Sequence, residues 1–293
     1  MISRVFGSID LDRTVWDPEY RQKVMGYLRR SAVSSSEDDP VNSHKHNLAV
    51  DFDSAFRTAF QPIVDTATGE VFAYEALART ANGESAGYLL DLLSDAEDCY
   101  QFDHLCRAKA IHDATRLNMD TCLSINLLPG AIGRSDYGID AAIRAAREVG
   151  LPLERLIFEL SEREYLENRQ AMAIQVKQFM AEGVRIAIDD FGAGHAGLGL
   201  LVDVPANLLK LDMSLVRNID SDATRRTVAA SLVHMSGELG IDVVAEGIET
   251  HAEMEALQSL GIHLMQGFLF GKPITDALPT TVMPESVGGT SVR

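Results

Sequence analysis

The stretch Val184–Leu201 reads VRIAIDDFGAGHAGLGLL, and the rest of the sequence is best interpreted from it. Residues 184–188 are mostly apolar and suit a buried strand, which leads directly into Asp189 and Asp190 and then into a glycine-rich loop. Adjacent carboxylates at the edge of a core repel each other and are costly to desolvate, so folding alone gives no reason for them. The stretch therefore predicts a strand whose end carries acids that some other group must neutralise.

Runs of similar character lie on both sides of this stretch. Eight strand candidates are FQPIVD, VFAYEALAR, CLSINLL, LIFELSE, VRIAIDDF, NLLKLD, IDVVAEGI and HLMQGFLF. The first two are separated only by TATGE, which is short enough for an antiparallel hairpin. Amphipathic stretches such as SDATRRTVAASLVHMSGELG separate later runs, and its final glycine suits a helix C-terminus. The pattern predicts an α/β fold, a modified TIM-type (β/α)8 barrel with an irregular, antiparallel first strand.

Composition narrows the class of protein. The 293 residues, 46% of them hydrophobic, are enough for one barrel, which takes about 250 residues. A formal net charge of −17 argues against nonspecific binding to nucleic acid or to anionic membranes. The three cysteines include no CxxC pair, so neither a disulfide framework nor a zinc motif is indicated. We find no signal peptide and no membrane-spanning run, and we expect a cytoplasmic protein.

The ends of the chain differ from its middle. The composition of residues 1–50 predicts an N-terminal extension with one short helix, followed by a linker rich in Ser, Asp and Pro. The histidines of His44-Lys45-His46 could form part of a metal site, but the surrounding composition favours a solvated linker. The predicted barrel covers residues 51–280, and residues 281–293 predict a flexible tail.

Polar side chains interrupt the strand candidates, mostly towards their C-terminal sides. They are Glu75, Asn126, Glu159, Asp189, Asp190, Lys210, Glu246 and Gln266. In a β/α barrel these strand ends converge on one face, where active sites are built. A single buried carboxylate could instead cap a helix or pair with an arginine. Five carboxylates with two amides and a lysine indicate hard divalent cations such as Mg²⁺ or Mn²⁺.

Two such ions serve phosphoryl-ester hydrolysis, and the adjacent aspartates can supply oxygens to both, with Asp189 as the natural bridge. A pair of cations would also turn a negatively charged rim into a site for phosphate. The paired aspartates are therefore best explained as metal ligands.

A family resemblance rests on several short motifs. YEALAR resembles the signature of the EAL domain of bacterial cyclic di-GMP phosphodiesterases, and QPIVD, LSINLLP, FELSE, DDFGAG, LKLD, AEGIE and QGFLFGKP stand in that family's order. The resemblance covers roughly residues 60–274. NGESAGYLL and YQFDHLCRAKAI are most similar to EAL domains attached to blue-light-sensing BLUF modules. No such flavin module fits into residues 1–50, so light sensing is not expected.

The resemblance implies roles for individual residues. It implies two metal sites, one formed by Glu75, Asn126, Glu159 and Asp189 and the other by Asp189, Asp190 and Glu246. It implies catalytic roles for Lys210, Glu246, Gln266 and Glu162. The residues implied to contact the substrate are Gln61, Leu77, Arg79 and Asp212. Lys210 would orient or help activate the attacking water, although it could simply pair with Asp212 or an acid of the rim. Glu162 would anchor the loop after DDFG, or else cap the next helix. That loop, GHAGLGLL, departs from many relatives, which carry a tyrosine and two serines there.

The expected function is hydrolysis of cyclic di-GMP to 5′-pGpG with two divalent cations, Mg²⁺ or Mn²⁺, and with inhibition by Ca²⁺. The resemblance also implies a homodimer formed through the barrel, and we expect no nucleic-acid polymer or membrane as a partner. The alternative is a non-catalytic EAL module that acts as a cyclic di-GMP receptor or scaffold. Such modules usually lack metal ligands, whereas every ligand position is filled here.

Overall fold

The computed structural model describes residues 56–80, 83, 85, 96–132, 138–161, 169–193 and 198–281. The chain divides into two compact units. The larger contains Thr58–Ala78 and Tyr100–Arg293, and the smaller contains Met1–Arg57 and Arg79–Cys99. The predicted extension (1–50) and all but the first residue of the predicted tail lie outside the described residues, so these two boundaries stay predictions.

Nine strands occur in the described residues, and eight of them coincide with the runs that the sequence predicts. They are β1 (Phe56–Asp65), β2 (Glu70–Thr80), β3 (Cys122–Leu127), β4 (Leu156–Ser161), β5 (Arg185–Phe191), β6 (Leu208–Leu211), β7 (Asp242–Ala245), β8 (Leu264–Gln266) and β9 (Ile274–Thr275). The two-residue β9 pairs antiparallel with β1 near Ala59 and was not predicted.

Helices connect most of the strands. They are α1 (Ala96–Arg116), α2 (Ile139–Val149), α3 (Arg169–Ala181), α4 (Leu198–Asp203), α5 (Met213–Val216), α6 (Ala223–Leu239) and α7 (His251–Ser259), with 3-10 turns at Pro129–Ala131 and Leu153–Arg155. As predicted, α6 ends at a glycine, because Gly240 has a φ of 68° that side chains disfavour. Among the described helices, none has the length and apolar character that crossing a bilayer requires.

The sheet closes into a barrel. Strands β2 to β8 pair side by side in chain order and in parallel, and β1 pairs with both β8 and β2. The β1–β8 pairing is antiparallel, with Ile63 opposite Gln266. The predicted modified (β/α)8 barrel with an antiparallel first strand is confirmed.

The barrel interior is apolar at one level and polar at the next. The apolar level contains Ile63, Ala73, Ile157, Ala187, Leu208 and Val244. Side chains two residues apart on a strand face the same side, so the next interior position lies two residues further along each parallel strand. Those positions hold Glu75, Glu159, Asp189, Lys210 and Glu246. A polar cluster therefore lies directly above an apolar floor, at the carboxyl ends of the strands.

Candidate active site

The backbone at the end of β5 is irregular at the paired aspartates. The pairing of β5 with β6 shifts register between Ile188 and Phe191, and Asp190 has a φ of 54°. Successive side chains of a regular strand point to opposite faces, and a bulge breaks that alternation. Carboxyl oxygens of Asp189, Asp190 and Glu246 accordingly lie within 4.8 Å of one another. A positive φ at a non-glycine residue costs on the order of 1–3 kcal/mol, and such strain is concentrated at functional sites.

Lys210 lies at the centre of the polar cluster and is only 1% exposed. Its Nζ is 2.8 Å from Glu159 Oε1, 2.9 Å from Asp189 Oδ1 and 2.7 Å from Glu246 Oε1. Glu75 Oε2 is somewhat further, at 3.7 Å. Lys210 therefore pairs with acids of the cluster and forms no ion pair with Asp212 in the described structure, and its role in orienting water stays a prediction.

The pKa values reflect an excess of negative charge. Burial, and then the neighbouring Glu75, raise the pKa of Glu159 well above its usual value despite the opposing effect of Lys210. Burial also raises the pKa of Glu246 to about 8. For Lys210, burial lowers the pKa, but four surrounding carboxylates raise it well above its usual value. One ammonium group thus faces more carboxylate charge than it can balance.

Two amides join the cluster through Glu75. Asn126 Nδ2 donates to Glu75 Oε1 at 3.3 Å, and Gln266 Nε2 donates to Glu75 Oε2 at 2.7 Å. The predicted residues from β2, β3 and β8 are therefore brought together with those from β4 to β7. Donation through Nδ2 leaves the Asn126 amide oxygen as its atom for a cation.

One member of the cluster was not predicted from the sequence. Ser124 lies in β3 and donates from Oγ to Glu159 Oε1 at 2.6 Å. The other carboxyl oxygen, Glu159 Oε2, is buried and has no hydrogen-bond partner in the described part of the chain. A signal existed, because Ser124 is two residues before Asn126 and so faces the same side of its strand.

The donor set suits hard divalent cations. Carboxylate and amide oxygens are the ligands that Mg²⁺ and Mn²⁺ prefer, and the cluster has more negative charge than Lys210 offsets. Two buried oxygens of the cluster, Glu159 Oε2 and Gln266 Oε1, have no hydrogen-bond partner among the described residues. The residues with suitable atoms are Glu75, Asn126, Glu159, Asp189, Asp190 and Glu246.

Two glycines allow the loops at the carboxyl ends of the strands to pack closely against one another. Gly247 follows Glu246, has a φ of 71°, and would place a Cβ only 2.5 Å from Met213 Cβ. Gly267 follows Gln266, and a Cβ there would overlap the backbone of Ile248. The loops after β6, β7 and β8 can therefore pack against one another only because these positions lack side chains.

The other predicted site residues, the substrate contacts and Glu162, are not among the described residues that the structure brings together around Lys210. Gln61 lies in β1, half-buried, and donates to the Gly271 carbonyl at 3.2 Å. Leu77 and Arg79 are half-buried residues of β2, and Arg79 forms an isolated bridge with Ser85. Asp212 caps α5, where its Oδ1 accepts from Ser214 N at 2.9 Å. Glu162 lies outside the described residues, so both interpretations of it stay predictions.

Comparison with known sequences identifies relatives over most of the chain. The EAL domain family model matches residues 47–273. The blue light- and temperature-regulated antirepressor BluF of Escherichia coli is 30% identical over 78% of this chain and 56% of its own. A cyclic di-GMP phosphodiesterase of Pseudomonas aeruginosa is 28% identical over 77% of this chain and 40% of its own. The chain thus spans about half or less of the length of these relatives.

Solved structures are similar as well. The c-di-GMP-bound form of a standalone EAL protein from Vibrio cholerae is 39% identical, covers 78% of this chain and 97% of its own, and has a TM-score of 0.73. A calcium/cy-diGMP complex of Klebsiella pneumoniae BlrP1 is 31% identical, covers 91% and 68%, and also has a TM-score of 0.73. A second BlrP1 complex contains manganese and cy-diGMP. The sequence motifs, the barrel and the residues matched by the family model all indicate the same family. The chain belongs to the EAL domain family.

Proposed function

We propose that the chain hydrolyses one phosphodiester bond of cyclic di-GMP and releases linear 5′-pGpG in a reaction that depends on two divalent cations. The observation that carries the proposal is the contact of Lys210 with Glu159, Asp189 and Glu246, at the carboxyl ends of the barrel strands. A relative is named as a cyclic di-GMP phosphodiesterase, and related structures contain this dinucleotide with calcium or manganese. These names support both the substrate and the class of cofactor.

The residues divide into those that hold cations and those that act on the reactants. Glu75, Asn126, Glu159 and Asp189 would hold one cation, and Asp189, Asp190 and Glu246 the other. When bound, a pair of divalent cations lowers the pKa of a water molecule and offsets phosphate charge.

Hydrolysis adds water across one P–O3′ bond. The water oxygen bonds to phosphorus, the P–O3′ bond breaks, and the 3′ oxygen takes up a proton. Lys210 is held as an ammonium by its carboxylate neighbours, so it donates a hydrogen bond that orients the attacking water and does not act as a base. Gln266 keeps Glu75 in place through its 2.7 Å hydrogen bond. Gln61, Leu77, Arg79 and Asp212 would contact the dinucleotide, and the guanidinium of Arg79 suits a phosphate because its donors form a fixed fork.

The purified chain should convert cyclic di-GMP to a single linear product with Mg²⁺ or Mn²⁺, and should give none after chelation. With Ca²⁺ we expect turnover at least about tenfold slower, because the larger and looser coordination shell of Ca²⁺ fits a compact two-ion site poorly. Chromatographic separation of the products measures both effects. Turnover by metal-stripped protein would refute the proposal, and tight binding of cyclic di-GMP without turnover would support the receptor alternative.

We also infer a homodimer formed through the outer face of the barrel. Three exposed apolar side chains lie on α3 and α4, which contact each other: Ile174 is 60% exposed, Leu198 56% and Val202 84%. Contiguous exposed apolar surface marks interaction sites. Val202→Glu should shift the protein towards monomer in sedimentation experiments, whereas Leu239→Glu, at a 55% exposed position on α6, should not. Equal dimerisation of Val202→Glu and the wild type would exclude this surface.

The activity would take place in a reducing compartment. Cys106 and Cys122 are free thiols in the described part of the chain. Free thiols are typical of the cytoplasm, where disulfides rarely persist. This supports a cytoplasmic enzyme.

A further inference from the structure

Ser124 is buried inside the barrel between two ligand-bearing strands. It is 1% exposed, and its register partners are Glu75 on β2 and Ile157 on β4. Its hydroxyl donates a hydrogen bond to Glu159 Oε1, with a distance of 2.6 Å between Ser124 Oγ and Glu159 Oε1. A hydrogen bond this short to a carboxylate is typical of a charge-assisted bond.

The two oxygens of Glu159 have different surroundings. Oε1 receives both the Ser124 hydroxyl at 2.6 Å and Lys210 Nζ at 2.8 Å. Oε2 is buried without a hydrogen-bond partner among the described residues. The terminal torsion of a glutamate is broad, so without such donors the plane of the carboxylate could rotate away from this orientation. Two donors on the same oxygen hold the carboxylate in one orientation.

We propose that Ser124 is a positioning residue that directs Oε2 of Glu159 towards a divalent cation. The inference deepens the proposed function, since it assumes that this cluster holds cations. Charge alone does not explain the serine, because Lys210 contacts the same oxygen of Glu159 and an alanine would fill nearly the same space. What the hydroxyl adds is direction: it is a second donor from a neighbouring strand, which fixes the plane of the carboxylate.

The test is the affinity of the full chain for Mn²⁺, measured by calorimetry without cyclic di-GMP. Ser124→Ala should weaken Mn²⁺ binding about 10–100-fold, the range for loss of a group that orients a metal ligand. Ser124→Thr keeps the hydroxyl and should bind within about threefold of the wild type. Ser236→Ala is the matched control, because Ser236 on α6 is equally buried at 0% exposure and its hydroxyl has no hydrogen-bond partner in the described structure.

Unchanged Mn²⁺ affinity in Ser124→Ala would overturn the inference, as would an equal loss in Ser236→Ala. If Ser124→Ala does not fold, Ser124→Cys replaces it, since a thiol has similar size and is only a weak donor, and the same criterion applies. Wild-type protein that binds Mn²⁺ but does not cleave cyclic di-GMP would refute the proposed hydrolysis and leave the positioning role standing. Wild-type protein that binds no Mn²⁺ would overturn both.

Discussion

Asp189→Asn should lower kcat/KM for cyclic di-GMP by at least about a hundredfold in the presence of Mg²⁺. Asparagine keeps the shape of the side chain but removes a negative charge from the residue proposed to ligate both cations. The fold should survive, because Lys210 keeps its contacts with Glu159 and Glu246 at 2.8 and 2.7 Å. Removing one carboxylate from a cluster with excess negative charge relieves repulsion, so the metal-free variant should melt at or above the wild-type temperature.

The matched control is Asp242→Asn. Asp242 is the first residue of β7, exposed and opposite Leu208, which belongs to the apolar floor of the barrel. The same chemical change at the amino ends of the strands should leave turnover within about twofold of the wild type, because active sites of this fold lie at the other end. Near-normal turnover by Asp189→Asn, or an equal loss in Asp242→Asn, would argue against a metal-bridging role.

The barrel could be predicted because its strands carry their own pattern, an apolar run that ends in a polar group. The lengths of the strands could not be predicted in the same way. The runs IDVVAEGI and HLMQGFLF predict strands longer than β7 (Asp242–Ala245) and β8 (Leu264–Gln266). Both strands stop shortly before a glycine at which another segment packs too closely for a side chain, Met213 at Gly247 and Ile248 at Gly267. Such contacts join residues that are distant in the sequence. The strand β9 has only two residues, too few for any periodicity to show.

The candidate site was predictable to a similar degree. The acids, amides and lysine stand near strand ends in the sequence, and the closure of the barrel brings them together. Two features required the structure. The positive φ of Asp190 is not expected for an aspartate in a strand, and it allows adjacent carboxylates to reach the same site. In the sequence, Ser124 is notable only because it lies two residues before Asn126 and so faces the same side of the strand. A serine at such a position does not by itself indicate a function. Its role becomes visible only through its contact with Glu159.

The second large effect is expected at the centre of the cluster. Lys210→Met keeps the length and apolar volume of the side chain and removes the cation that contacts Glu159, Asp189 and Glu246. Removing one partner from a buried ion pair costs about 3–5 kcal/mol of unfolding free energy, because the other partner stays buried without compensation. The metal-free variant should therefore melt well below the wild type, and kcat should fall at least about a hundredfold for lack of the donor to water.

The stability deficit of Lys210→Met should depend on pH in a definite direction. A carboxyl group whose pKa is higher in the folded than in the unfolded state contributes stability at low pH, and this is lost as pH rises through the folded value. The pKa of Glu246 is already raised to about 8 with Lys210 present, and removal of the ammonium raises it further. The melting temperature of the metal-free variant should therefore fall further below that of the wild type at about pH 8 than at about pH 6.

Added Mn²⁺ decides whether this deficit reflects a cation site. A cation that binds only the folded state stabilises it by mass action, so saturating Mn²⁺ should recover much of the stability that Lys210→Met loses, while kcat stays low. Lys109→Met is the control, since Lys109 on α1 is also largely buried and pairs with Asp113 at 3.2 Å outside the cluster. Its stability should show no dependence on Mn²⁺ beyond that of the wild type. If neither the wild type nor Lys210→Met gains stability from saturating Mn²⁺, the carboxylates around Lys210 do not hold a cation, and their charge is balanced by protonation instead.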